Sequence, residues 1–85
     1  MGGNAQSIEL ASLLDREEVF KLRGFSSECG PTGGVVVDRW GHVRGVWNFT
    51  GKSFFWTPAG YNEPIYRTES MDEAVHYTVN IAGKS

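Results

Sequence analysis

The residues able to do covalent or acid–base chemistry in this 85-residue chain are few and scattered: Cys29, His42, His76, and the acidic pairs Glu17-Glu18 and Asp72-Glu73. A cysteine becomes a nucleophile when nearby positive charge or a partnered base stabilises its thiolate. Cys29 sits in GFSSECGPTGG, a stretch with no cation of its own. Nothing in the spacing brings His76 to it. One cysteine and two histidines also lack the close spacing of a metal site. Each acidic pair falls where a helix would start, and carboxylates favour that end of the helix dipole. Gly83-Lys84-Ser85 lacks the upstream glycine and strand of a phosphate loop, and Asn48-Phe49-Thr50 matches a glycosylation sequon by chance within a strand. The expectation is a chain without catalytic residues, metal or cofactor.

Binding chemistry is better represented. The segment Gly34–Pro58 holds all three tryptophans. It is also basic: Asp38 stands against Arg39, Arg44 and Lys52, a net +2. The flanks are acidic, with five acids to three bases over residues 1–33 and four to two over residues 59–85, so each carries −2. An exposed Trp beside Arg is the kind of pair that anchors interfaces. Trp40 at a turn, with Arg39, His42, Arg44, Asn48 and Phe55 on the neighbouring strands, is therefore the candidate partner-binding set. Tyr61, in AGYNEP, extends it.

The elements that must position these residues follow from turn chemistry. Gly51-Lys52 suits a two-residue hairpin turn with glycine first. Thr50 then faces Ser53, Phe49 faces Phe54, Asn48 faces Phe55 and Trp47 faces Trp56. Opposed residues share a face and faces alternate along a strand. Trp47, Phe49, Phe54 and Trp56 thus form an aromatic face, and Asn48, Thr50, Ser53, Phe55 and Thr57 the opposite one. Asp38-Arg39-Trp40-Gly41 reads as a type I turn with a left-handed glycine bulge. That pairs Val37 with Val43 and Val35 with Gly45, all on the aromatic face, and leaves Val36, Asp38, His42, Arg44 and Val46 opposite. Gly45 would give a covering helix room to approach.

Flanking segments complete an α+β expectation: a three-stranded antiparallel meander over about 34–58, a short fourth strand at 65–68, a C-terminal helix at about 71–82 and an N-terminal helix at about 8–22. Within that last segment Asp15 and Glu18 could equally cap a second short helix, and Val19–Phe25 could alternate as a strand. In SMDEAVHYTVNIAG, Ser70 suits the N-cap, Glu73 completes a capping box and Gly83 suits the stop. Met71, Ala74, Val75, Thr78 and Ile81 or Ala82 form the apolar stripe for the aromatic face. Residues 24–34 read as loop, and residues 1–6 as flexible. The length suits one small domain, residues 1–85.

A meander followed by a helix, with Arg, Trp and Asn on the sheet, resembles the plant AP2-type and integrase arm-type DNA-binding domains over roughly residues 34–82. That resemblance implies nucleic-acid binding through the sheet. The layout Pro58-Ala59-Gly60-Tyr61 after a Trp-bearing strand, then a helix with Tyr77, is similar to MbtH-like proteins. Their serine-leucine-tryptophan-proline and tryptophan-threonine-aspartate signatures are absent here. With a net charge of −2, a protein partner or a second copy of the chain is the leading expectation, nucleic acid the alternative and a membrane neither. A lone cysteine and no leader-like N-terminus suggest the cytoplasm.

Overall fold

Turn residues punctuate the chain from residue 24 to residue 62, and the strands between them fold as a meander. The computed structural model describes residues 5–30 and 33–84. Strands β1 (Phe25–Cys29), β2 (Val35–Arg39), β3 (His42–Thr50), β4 (Ser53–Pro58) and β5 (Tyr66–Thr68) form one antiparallel sheet in the order β1-β2-β3-β4-β5. Helices α1 (Ala5–Asp15) and α2 (Glu18–Leu22) precede it, and α3 (Met71–Lys84) follows. All three helices send side chains into one core. Leu10, Leu14 and Phe20 meet Val35, Val37, Trp47, Phe54 and Trp56 of the sheet, and Ala74, Val75 and Ala82 of α3. The fold is α+β, with helices on one face of the sheet.

The second hairpin has the expected register, Thr50 opposite Ser53 through Trp47 opposite Trp56. Gly51 holds φ +65°, as a glycine-first turn requires. The first hairpin differs. Val35 opposes Trp47 and Val37 opposes Gly45, where Gly45 and Val43 were expected. The turn is the two-residue Trp40-Gly41, with φ +50° and +85°, so Arg39 opposes His42. Positive φ at both central positions matches strand twist. The register then shifts between Val37 and Asp38, and Arg44 is the extra residue of a bulge. The slip amounts to two residues beyond the bulge, so Val35, Val37, Gly45 and Trp47 keep the expected face. Val43 does not: it opposes Asp38 and is 51% exposed.

Three further corrections concern elements. The sheet has five strands, because residues 25–29, expected as loop, pair with β2 along their whole length. Phe25 is buried, and Ser27 Oγ donates to the Ala11 carbonyl at 3.1 Å. Serine-rich FSSEC has little strand propensity, and pairing with three consecutive valines supplies what propensity lacks. The N-terminal helix expected over 8–22 is two helices. The amides of Arg16 and Glu17 bond back three residues to Leu13 and Leu14, closing α1 with a tight turn. The break lets Phe20 swing into the core, its ring centroid 5.4 Å from that of Phe25. Of residues 1–6, read as flexible, 1–4 lie outside the described residues, and Ala5 and Gln6 open α1.

At the other end, Ser70 Oγ accepts the Glu73 amide at 3.2 Å, as an N-cap does. The capping box closes through a relay: Thr68 Oγ1 donates to the Glu73 carboxylate and accepts the Ser70 amide at 3.1 Å. The helix runs through Gly83 to Lys84. Its stripe packs as expected, with Ala74, Val75, Thr78 and Ala82 buried. Trp47 Nε1 donates to Thr78 Oγ1 at 2.8 Å, and that hydroxyl donates to the Ala74 carbonyl at 2.8 Å. Gly45 serves the sheet's own packing. A Cβ there would stand 2.4 Å from the Trp56 ring, so the missing side chain makes room for an indole.

Candidate functional site

With the helices gathered on one side, the opposite sheet face is bare of helix among the described residues. Its rows follow from the pairings. Glu28, Val36, Val46 and Thr57 form one row across β1 to β4. Asn48, Phe55 and Arg67 form the next across β3 to β5. Val36, Val46, Phe55 and Thr57 are half-buried, while Glu28, Arg44, Asn48 and Arg67 are exposed. The charges separate: Glu28 and Asp38 lie on β1 and β2, and Arg44 and Arg67 on β3 and β5. Asp38 is occupied locally, accepting Ser26 Oγ at 2.9 Å and the Gly41 amide at 3.2 Å. Arg67 donates to Ser53 Oγ at 3.3 Å. Among the described residues, the Arg44 and Lys52 side chains make no ion pair with the protein's own acids.

Beside this face the chain after β4 rises as a wall. Ala59 N bonds the Arg44 carbonyl at 2.9 Å and Tyr61 N bonds the Pro58 carbonyl at 3.1 Å, fixing the loop against β3. Between loop and sheet lies an open groove of about 410 Å³, bordered by Val43, Val46, Asn48, Pro58 and Tyr61. Tyr61 stands 59% exposed at its rim. A smaller hollow of about 220 Å³ lies beside Phe55 and Arg67.

Not every sequence-predicted residue joins this surface. Asn48 and Phe55 are directly opposed on it, and Arg44, exposed at the bulge, lies in the chain between the groove-lining residues Val43 and Gly45. Arg39 turns to the other side, because the alternation that buries Val35 and Val37 carries it toward the helices. Its guanidinium lies 5.3 Å over Phe25 and 4.3 Å over Trp40, and its Nε donates to the Arg23 carbonyl at 2.9 Å. His42, opposed to Arg39, shares that side. Trp40 is 71% exposed, yet its indole lies against Gly24, where a Cβ would come within 2.1 Å of it. Its amide bonds the Gly24 carbonyl at 3.0 Å. Trp40, Arg39 and Gly24 thus form a cluster at the turn end of the sheet, separate from the Asn48–Phe55–Arg67 row. Arg67 was missed because its place depends on how the 59–64 loop aligns β5 with β4. The alternation in Tyr66–Thr68 was its only signal.

The candidate chemical groups remain apart. Cys29 is an exposed free thiol on β1. His76, on α3, borders a hollow of about 200 Å³ with Leu13, Glu17, Asp72 and Val75. Among the described residues no group of three or more His, Cys, Asp and Glu side chains is arranged to hold a metal ion, and no helix is long and apolar enough to cross a membrane. Comparison with protein-family models, with curated proteins and with solved structures finds no match.

Proposed function

We propose that this chain is a non-catalytic protein-binding module that holds an acidic segment of a partner protein on the β3–β5 half of its open sheet face. The observation that carries the reading is the row Asn48–Phe55–Arg67 beside the Tyr61-rimmed groove. It combines an apolar floor, hydrogen-bonding groups and arginines that pair with no acid among the described residues. Acidic side chains of a partner would pair with Arg44 and Arg67, and an apolar one would rest on Phe55 and Val46. Glu28 and Asp38 on the same face oppose a phosphate backbone spanning the sheet, which favours protein over nucleic acid. The exposed Cys29 thiol suits a reducing compartment such as the cytoplasm.

The test titrates the protein with short Glu/Asp-rich peptides bearing one Leu or Phe, with basic peptides as control and single-stranded DNA as a separate arm, following backbone amide shifts. Acidic peptides should move the amides of Asn48, Phe55 and Arg67, and Arg44→Ala with Phe55→Ala should weaken binding about tenfold or more. Shifts confined to the helical layer, or undiminished binding by the double variant, would sink the proposal. Salt-sensitive binding of DNA on the same amides, without peptide binding, would replace it with the nucleic-acid reading.

A further inference from the structure

The free edge of β1 carries a second, independent signal. The Trp40 amide bonds the Gly24 carbonyl, and the Gly30 amide bonds the Gly34 carbonyl at 2.7 Å. These bonds bracket the strand and set its parity: the backbone groups of Ser26 and Glu28 point toward β2. Those of Phe25, Ser27 and Cys29 therefore point away, and no described residue bonds them. Exposed strand edges are usually guarded by lysine, proline or a covering segment. β1 has neither lysine nor proline, and its single charge is Glu28.

We infer that β1 pairs with β1 of a second copy of this chain, antiparallel and centred on Ser27, joining both sheets into one. In this register Phe25 opposes the partner's Cys29, Ser27 opposes its own copy, and every outward N–H and carbonyl of the three residues finds a partner. A slip of two residues either way leaves groups at both ends unpaired. A slip of one mismatches the bonding parity. Glu28 then faces Ser26 of the partner subunit, so the strand's only charge avoids its like. Self-complementarity of this kind is what a two-fold interface requires.

The helical layer agrees. Leu13 borders α3 across the hollow by His76. On α1 the Ala11 carbonyl accepts the Ser27 hydroxyl of β1, and Ile8, three residues earlier, shares the Ala11 flank by helical spacing. Ile8 is 55% exposed. A second α1 brought alongside by strand pairing covers it. The inference does not depend on the acidic-peptide reading, although the dimer would set two such faces side by side on one sheet.

The test is sedimentation of the full chain at concentrations on the order of 10–200 µM, with reductant present. A dimer of about twice 9.4 kDa is expected. Ser27→Pro removes an N–H that points away from β2, so the chain's own ladder survives. It should weaken the dimer at least tenfold, and Ile8→Lys should weaken it through like charges across the two-fold. Both variants should keep native tryptophan fluorescence and acidic-peptide binding. In the wild type, amide exchange at Phe25, Ser27 and Cys29 should be slow in concentrated solution and fast on dilution, a readout that stands even where Ser27→Pro fails to fold. A monomer with fast exchange at every concentration overturns the inference, as does a dimer indifferent to both variants. So does a dimer lost on adding reductant: in this register the two Cys29 residues lie about 13 Å apart, beyond disulfide reach.

Discussion

The Thr78 hydroxyl makes a buried indole tolerable. Trp47 is 1% exposed, and its one polar atom would be stranded in the apolar layer without the acceptor that α3 provides. Thr78→Val keeps the shape and removes the acceptor. It should lower stability by about 1–3 kcal/mol in urea unfolding, the cost of an unsatisfied buried donor, while Thr78→Ser should recover most of it. An unchanged midpoint for Thr78→Val would show that Trp47 finds another partner. Trp40 shows how far a single residue can be read ahead of its surroundings. Its place at a turn is written in Trp40-Gly41, and its partner is not. Gly24, sixteen residues upstream, reaches the indole only because an unforeseen strand follows it. The same holds for Arg39, whose side depends on strand parity rather than on its charge.

Among the elements, β3 and β4 were legible because the Gly51-Lys52 turn puts four large aromatics on one face and, Val46 and Phe55 apart, polar residues on the other, and a one-residue slip would mix them. The β2–β3 pairing was not. Val35, Val36 and Val37 offer no contrast between faces, and a bulge at Arg44 leaves no mark in composition. β1 was hidden by its serines; the division between α1 and α2 was signalled by Asp15 with Glu18, against a hydrophobic pattern continuous through Phe20. Of the proposed surface, Arg44, Asn48, Phe55 and Tyr61 were readable and Arg67 was not. Close strand packing gives a sharp test at Gly45. Gly45→Ala places a methyl 2.4 Å from the Trp56 ring and 2.9 Å from the Thr57 carbonyl. The indole must shift, so a loss of about 1–3 kcal/mol is expected from overpacking, seen as a lower thermal midpoint with altered tryptophan fluorescence. Wild-type stability in this variant would mean that the β3–β4 contact is looser than its geometry.

For the molecule as a whole, the sheet and α3 are joined by aromatic packing. The Tyr66 and Tyr77 rings stack with centroids 3.9 Å apart and planes within 6°, and Tyr77 also meets Trp47 and Trp56 edge-on. Burial, and secondarily the neighbouring Tyr66, raise the Tyr77 pKa above its ordinary value of 10.0. The folded state therefore favours the neutral phenol. Its contribution is complete below pH 10.0 and is lost as pH climbs from there through the raised native value, since the unfolded chain releases its proton first. Urea midpoints measured from pH 8 to pH 11 should fall more steeply for the wild type than for Tyr77→Phe. Parallel curves would contradict this.

The meander order also has a meaning in time. Each strand pairs with its neighbour in the chain, so each hairpin closes over a short loop and can form early. The helix that covers Trp47, Phe54 and Trp56 comes after every strand. During synthesis the sheet can assemble against α1 and α2, which are made before it, and leave the part of that aromatic layer that α3 covers exposed until α3 follows. That interval is when the nascent chain is most prone to aggregate, and the aromatic layer is what a chaperone would grip.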